Sequence, residues 1–230
     1  VDFGVEFRVV MTGLYHKMMQ KNLQVWFVVL AMSCFGGLAQ AGAKGDPAAG
    51  EAKAGLCGGC HGFDGNSADA TFPRLAGQYA DYIVKQIRDF QKGLRANNDT
   101  MAGMAAMVGS VQDAKDIGAF FAQQPKSKDP IAPVNKKKAK IGEKIYYEGI
   151  PEKNVYGCVN CHGERGNGKS PTVSQFPVIG GQHAGYIVKQ LKDFKAGARA
   201  NDPASMMANI AKGLSDEEME ALADYLAGLL

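Results

Sequence analysis

Cysteine is scarce in this 230-residue chain. There are five, and all but Cys34 sit in two copies of one motif, Cys57-x-x-Cys60-His61 and Cys158-x-x-Cys161-His162. Cys34 lies in an N-terminal apolar run that reads as a removable leader, so no cysteine is left for a conventional structural disulfide. Charge of one sign is also missing. A formal net charge of +3 does not provide the strongly basic face of a nucleic-acid binder. Sustained alternation of apolar and polar residues, the mark of half-buried strands, is absent throughout. A long uncharged apolar run occurs once, ahead of residue 44.

That run is LQVWFVVLAMSCFGGLAQAGA, preceded by Lys17 and Lys21. A positive n-region, an apolar h-region and small residues at Ala39-Gln40-Ala41 or Ala41-Gly42-Ala43 predict a secretory signal peptide. The alternative is a retained anchor, but the run is short for a spanning helix of about 20 predominantly apolar residues. Residues 1–17 read as an upstream extension before a start at Met18 or Met19. Cys34 makes a poor lipobox because Leu30 stands one place too far upstream.

The remainder is duplicated. YIVKQIRDFQKGLRAN, from Tyr82, matches YIVKQLKDFKAGARAN, from Tyr186, at eleven of sixteen positions with an offset of 104. FPRLAGQ, from Phe72, answers FPVIGGQ, from Phe176, at the same offset. The two Cys-x-x-Cys-His motifs are 101 apart, so the second copy has three extra residues between motif and Phe-Pro. Two modules of roughly 90 residues follow, each small for a domain and helped by a bound cofactor that fills its core. The boundaries predicted are 1–43 for the leader and extension, 44–124 for the first module, 125–138 for a linker and 139–230 for the second module. The linker reading rests on three prolines, several lysines and no apolar periodicity in QQPKSKDPIAPVNKKKAK. Lys136-Lys137-Lys138 reads as its solvated end, with an acidic docking partner as the alternative.

Helical spacing dominates both modules. Ile83, Ile87 and Phe90 fall at i, i+4, i+7, as do Ile187, Leu191 and Phe194. PAAGEAKAGL and AKIGEKIYYEG predict short helices leading into each motif. Ser215 with Glu218 three residues on predicts a capping box for the last helix, which presents Leu222, Tyr225 and Leu226. The fold class predicted is all-α.

The motif selects its chemistry. A thioredoxin-like redox pair belongs beside βαβ patterns, and a structural zinc site needs four ligands, commonly from pairs 15 to 20 residues apart. Here each pair stands alone, a hundred residues from the other, with histidine immediately after it. Cys-x-x-Cys-His is the attachment motif of c-type haem. Two thiols add across the two vinyl groups, and the next residue presents an imidazole to the iron. Two covalent haem c groups are therefore predicted. The sixth iron position sets the job: methionine raises the potential and suits electron transfer, whereas an open position suits catalysis. Methionines follow the repeated helix in both copies: Met101, Met104 and Met107, then Met206 and Met207. Singly such methionines read as core filler. Recurrence at matching places favours ligands.

These motifs together, with the FP-x-[LI]-x-GQ segments and the YIVKQ helices, resemble the cytochrome c4 family, dihaem proteins made of two tandem class I cytochrome c domains. The resemblance runs from about Gly45 to the C-terminus. It implies thioether bonds at Cys57, Cys60, Cys158 and Cys161, proximal ligands His61 and His162, and haem-face contacts from Leu75 and Ile179. It also implies that the carbonyls of Pro73 and Pro177 accept the histidine N–H groups. The family's distal methionine precedes the leucine before the last helix by seven positions. That selects Met207 from Leu214 and, with Val111 standing for the leucine, Met104 in the first copy. His183 is answered by Tyr79 in the first copy and reads as a surface or haem-edge residue, while His16 precedes the leader.

The resemblance further implies a carrier without substrate chemistry. Its expected place is the periplasm, loosely on the membrane, moving electrons from a cytochrome bc complex toward a terminal oxidase. Alternatives are a dihaem subunit of a dehydrogenase, such as a sulfide-oxidising flavocytochrome, and a dihaem peroxidase. Residues 42–128 hold ten basic and nine acidic groups, and residues 141–230 hold nine and eleven. Neither half has a strong steering field, so small, transient docking near an exposed haem edge is expected.

Overall fold

The structure is a computed structural model that describes residues 44–128 and 135–229. The leader, Cys34, His16 and linker residues 129–134 lie outside the described residues. Within them the chain is helical; the pairing of Ile150 with Val155 is an isolated bridge.

In the first half, α1 spans Pro47–His61, α2 Ala80–Gln91, α3 Asp99–Ala106 and α4 Val111–Gln123. Local chemistry starts each of three. Asp46 accepts from the Ala48 and Ala49 N–H groups, with Pro47 at the first helical position. Asn98 caps α3 through the Met101 N–H, and Ser110 caps α4 through the Asp113 N–H. The apolar stripe of α2 then buries Ile83, Ile87 and Phe90 with Ala114, Ile117 and Phe121 of α4.

The second half repeats the plan with α5 at Lys136–Glu148, α6 at Val159–His162, α7 at Ala184–Ala196, α8 at Met206–Gly213 and α9 at Asp216–Ala227. The capping box of Ser215 and Glu218 is present in α9. Lys136–Lys138, expected at the end of the linker, form the first turn of α5, where Asn135 caps the Lys137 and Lys138 N–H groups. Ile145, Tyr146, Leu191, Phe194, Met219, Leu222 and Leu226 share the second core.

First and last helices cross at a glycine in each half. A Cβ on Gly50 would collide with the Asp116 carbonyl oxygen, and one on Gly142 with that of Ala221. Only glycine allows this approach. The halves differ in how they reach the cysteines. Helix α1 runs straight through Cys57, Cys60 and His61. Helix α5 stops at Glu148; the chain then makes a 3₁₀ turn at Pro151–Lys153 and the Ile150–Val155 bridge before α6. Gly50 is seven residues from Cys57 but Gly142 is sixteen from Cys158, and that difference fills the excursion.

The halves meet through reciprocal contacts. Arg95 donates to Gln86, Tyr186 and Gln190, while Arg199 donates to Gln190, Tyr82 and Gln86. Each guanidinium also stacks on a phenylalanine of its own half, Arg95 on Phe90 at 4.6 Å and Arg199 on Phe194 at 4.5 Å. Both arginines are buried, and their hydrogen bonds answer the cost of that burial.

Candidate functional site

Each half builds one site from four segments: the Cys-x-x-Cys-His turn, the Phe-Pro segment, the amphipathic helix and the methionine helix. The histidines end their helices, and a glycine follows each. Gly62 takes φ 81° and Gly163 φ 74°, values that end the helix and favour glycine. The rings turn inward and are buried, His61 at 4% and His162 at 7% exposure.

One nitrogen of each ring is committed. His61 Nδ1 lies 2.8 Å from the Pro73 carbonyl oxygen, and His162 Nδ1 lies 2.9 Å from that of Pro177. A carbonyl can only accept, so Nδ1 carries the proton and Nε2 keeps the lone pair of a neutral imidazole. Burial drives both pKa values below the usual histidine range against the opposing pull of the proline carbonyls. The pair of rings is thus preset as neutral Nε2 donors, the form that binds metal.

The four motif cysteines are not joined in disulfides. Cys57 and Cys158 are half-buried, and desolvation raises both pKa values, Cys158 to about 11. Among the described residues no group of three histidine, cysteine or acidic side chains converges on a point where a metal ion could sit. The surroundings suit covalent haem instead. Cys57, Leu75 and Met101 line the first core; Cys158, Val159, Ile179 and Met207 line the second. Each half thereby offers a cysteine, an apolar face and a thioether on one core, with a neutral imidazole one helical turn beyond the cysteine.

In the first half the packing favours a methionine other than the Met104 expected from the sequence. Counting seven positions back from Val111 selects Met104. In the structure Val111 opens α4 on the solvent side at 45% exposure, whereas the leucine-like position is Val108, buried at 8%. Gln91 donates to the Val108 carbonyl as Lys195 donates to the Leu214 carbonyl. Ala105 at 2% exposure answers Ala211 at 0%. Seven positions before Val108 is Met101, which packs on the first core as Met207 packs on the second. Met104 is not among the residues packed there, and Met107 is exposed at 64%. Counting from Val111 lands three positions late: Val111 follows the capping Ser110 whereas Leu214 precedes the capping Ser215, which is two positions, and Gly109 adds the third between Val108 and its serine.

His183 is a correction. It is neither at the surface nor accessible, with 1% exposure. Its Nε2 donates to the Ser67 carbonyl at 3.1 Å and meets the Ser67 hydroxyl at 2.9 Å, across the interface. Tyr79, its counterpart, likewise crosses to the Asn167 carbonyl at 2.8 Å. Sequence reasoning gave no role to Gln78 and Gln182, although both end the repeated FP segments. The structure uses both at the interface.

With the geometry in hand, comparisons agree on one family. The cytochrome c family model matches residues 139–230. Cytochrome c4 of Thiocapsa roseopersicina is 44% identical over 186 residues, covering 80% of this chain and 93% of its own. A crystal structure of reduced recombinant cytochrome c4 from Pseudomonas stutzeri superposes with a TM-score of 0.73 at 37% identity, over 81% of this chain and all of the other. A thiosulfate dehydrogenase electron acceptor of Stutzerimonas stutzeri is 36% identical over 176 residues, 75% of this chain and 78% of its own.

Proposed function

The chain belongs to the cytochrome c4 family, and on that premise we propose that it shuttles electrons in the periplasm, from a cytochrome bc complex toward a terminal oxidase. It is an electron carrier, not an enzyme, with two covalently attached haem c groups on tandem class I cytochrome c folds. The domain boundaries proposed are 44–124 and 139–230, joined by residues 125–138, with the second domain's first helix reaching back to Lys136.

Cys57 and Cys60 would tether one haem and Cys158 and Cys161 the other. His61 and His162 would bind the haem iron through Nε2, and Met101 and Met207 would supply the second protein ligand. The group supplies a one-electron iron couple when bound. The chain's own residues do the rest. Burial keeps both imidazoles neutral. Pro73 and Pro177 fix ring orientation and raise ligand basicity. With the group bound, a thioether ligand from Met101 or Met207 would favour the reduced form.

The observation that carries this reading is the paired geometry: two buried histidines, each held through Nδ1 by a proline carbonyl, in halves whose cores each carry one of the repeated methionines. Export rests on the predicted signal peptide. Loose attachment to the outer face of the membrane is part of the proposal; no described helix is long and apolar enough to cross it. The test offers reduced protein to oxidase-containing membranes and, separately, to hydrogen peroxide. Oxidation by the membranes with negligible peroxide turnover supports the shuttle. Peroxide turnover at the rate of a dedicated enzyme supports the dihaem peroxidase. A second reading makes a thiosulfate dehydrogenase the electron donor, favoured by the 36% identical relative named for that role. Reduction by such an enzyme but not by a bc complex would select it.

A further inference from the structure

The repeated Phe-Pro-x-x-x-Gly-Gln segments end in Gln78 and Gln182, and each glutamine reaches the other half. Gln78 Nε2 donates to the Val178 carbonyl at 2.8 Å, and its Oε1 accepts from the Val178 N–H at 3.1 Å. Gln182 Nε2 donates to the Arg74 carbonyl at 3.0 Å, and its Oε1 accepts from the Arg74 N–H at 2.9 Å. Each Oε1 is held as well by the next backbone N–H of its own chain, Tyr79 or His183, at 3.0 Å. Gln78 is buried at 9% exposure.

The N–H of Val178 and the carbonyl of Pro177 belong to one peptide unit. So do the N–H of Arg74 and the carbonyl of Pro73. Each unit therefore accepts a hydrogen bond from a buried histidine and donates one to a glutamine of the opposite half. The continuous path is His162 Nδ1–H to Pro177 carbonyl, then Val178 N–H to Gln78 Oε1. Its mirror runs from His61 through Pro73 and Arg74 to Gln182. Hydrogen bonds in such a chain polarise one another, so donation by the peptide N–H strengthens its carbonyl as an acceptor. A stronger acceptor raises the basicity of the imidazole it holds.

We propose that Gln78 is a positioning residue for His162 and Gln182 for His61, so that each half tunes the haem of the other. The proposal rests on the reading of His61 and His162 as iron ligands. Docking of the halves is then part of what sets the two potentials, and loosening the interface would alter both ligands. Sequence duplication gives the two paths the same parts, and the interface exchanges them.

The test uses the full dihaem protein with Gln78→Met, which keeps side-chain length but removes both hydrogen bonds. Proton NMR follows the ring signals of both histidines, redox titration follows both haems, and Met207→Ala assigns the C-terminal set. Gln78→Met is expected to shift the His162 Nδ1–H signal, speed its solvent exchange and raise the potential of the C-terminal haem. The N-terminal haem should stay close to its original value. Gln182→Met is expected to do the reverse. Gln78→Glu, which leaves a charged acceptor for the Val178 N–H, should lower the C-terminal potential instead and keeps the test decisive if the Met variant does not assemble. A shift confined to the substituted half, equal shifts in both, or no shift in any variant overturns the proposal. An unsubstituted protein without ring signals from two iron-bound histidines would instead overturn the ligand reading beneath it.

Discussion

Gln91 Nε2 donates to the carbonyl of Val108 at 2.9 Å, and this bond fixes the register of the methionine helix. A second donation from the same amide, to the Ala105 carbonyl at 2.9 Å, clamps the helix end. With Val108 anchored, Met101 faces the first core as Met207 faces the second. Met101→Ala and Met207→Ala are each expected to remove about half of the far-red band of methionine-bound ferric haem, lower one potential and open that haem to carbon monoxide. Met104→Ala should leave band and potentials in place. Optical spectra of the three variants check this. Loss of the band in Met104→Ala with retention in Met101→Ala would restore the register counted from Val111.

Covalent attachment should fail one half at a time. Cys57→Ala or Cys161→Ala is expected to compromise the haem of its own half only, because each half carries its own motif and Cys57 and Cys158 adjoin separate cores. Intact mass and a pyridine haemochrome assay read this out as a loss of covalently held haem from one site. Loss of both haems from a single substitution would show that the sites mature together.

Helix crossing should be intolerant of a methyl group. Gly142→Ala drives a Cβ into the backbone carbonyl of Ala221, which cannot rotate away as a side chain would. Helices α5 and α9 must separate, at roughly 1–3 kcal/mol of stability, the usual cost of overpacking. Denaturant titration should show the loss. Unchanged stability would mean that the crossing relaxes freely.

Acid should weaken the first half through Asp116. This buried carboxylate accepts from the Asp46 N–H at 2.9 Å and pairs with Lys53 at 2.5 Å, tying α4 to the start of α1. Those bonds hold its pKa down to about 2 from an ordinary 3.8. A depressed carboxylate contributes stability above its unfolded pKa and loses it as pH falls. The contribution of Asp116 is therefore complete above about pH 5 and disappears as pH drops through 3.8 toward 2. Asp116→Asn should be less stable at neutral pH and lose less on acidification, as thermal unfolding at pH 7 and pH 3 would show. Parallel acid curves for both proteins would exclude this carboxylate as the acid-sensitive group.

Much of this was readable in the chain because it is local or repeated. Ile83, Ile87 and Phe90 announce their helix by spacing, and Ser215 with Glu218 announces a cap. Cys-x-x-Cys-His carries its chemistry in adjacent residues. What stayed hidden depends on distance. Met101 and Met104 are both helical methionines, and only the buried anchor at Val108 tells them apart. His183 looked like a surface residue because its partner, Ser67, is 116 positions away. Gln78 and Gln182 were visible as repeated letters, but their targets lie 100 and 108 residues off. The excursion after Glu148 was equally unmarked, since a bridge between Ile150 and Val155 leaves no periodic trace in so short a segment.

The most direct test of a dihaem electron carrier is a spectroelectrochemical titration of the purified, full protein. Two reversible one-electron steps are expected, both from six-coordinate low-spin haem and both with the methionine far-red band in the oxidised state. A single step, or a second haem that lacks the band and binds carbon monoxide without any substitution, would contradict it.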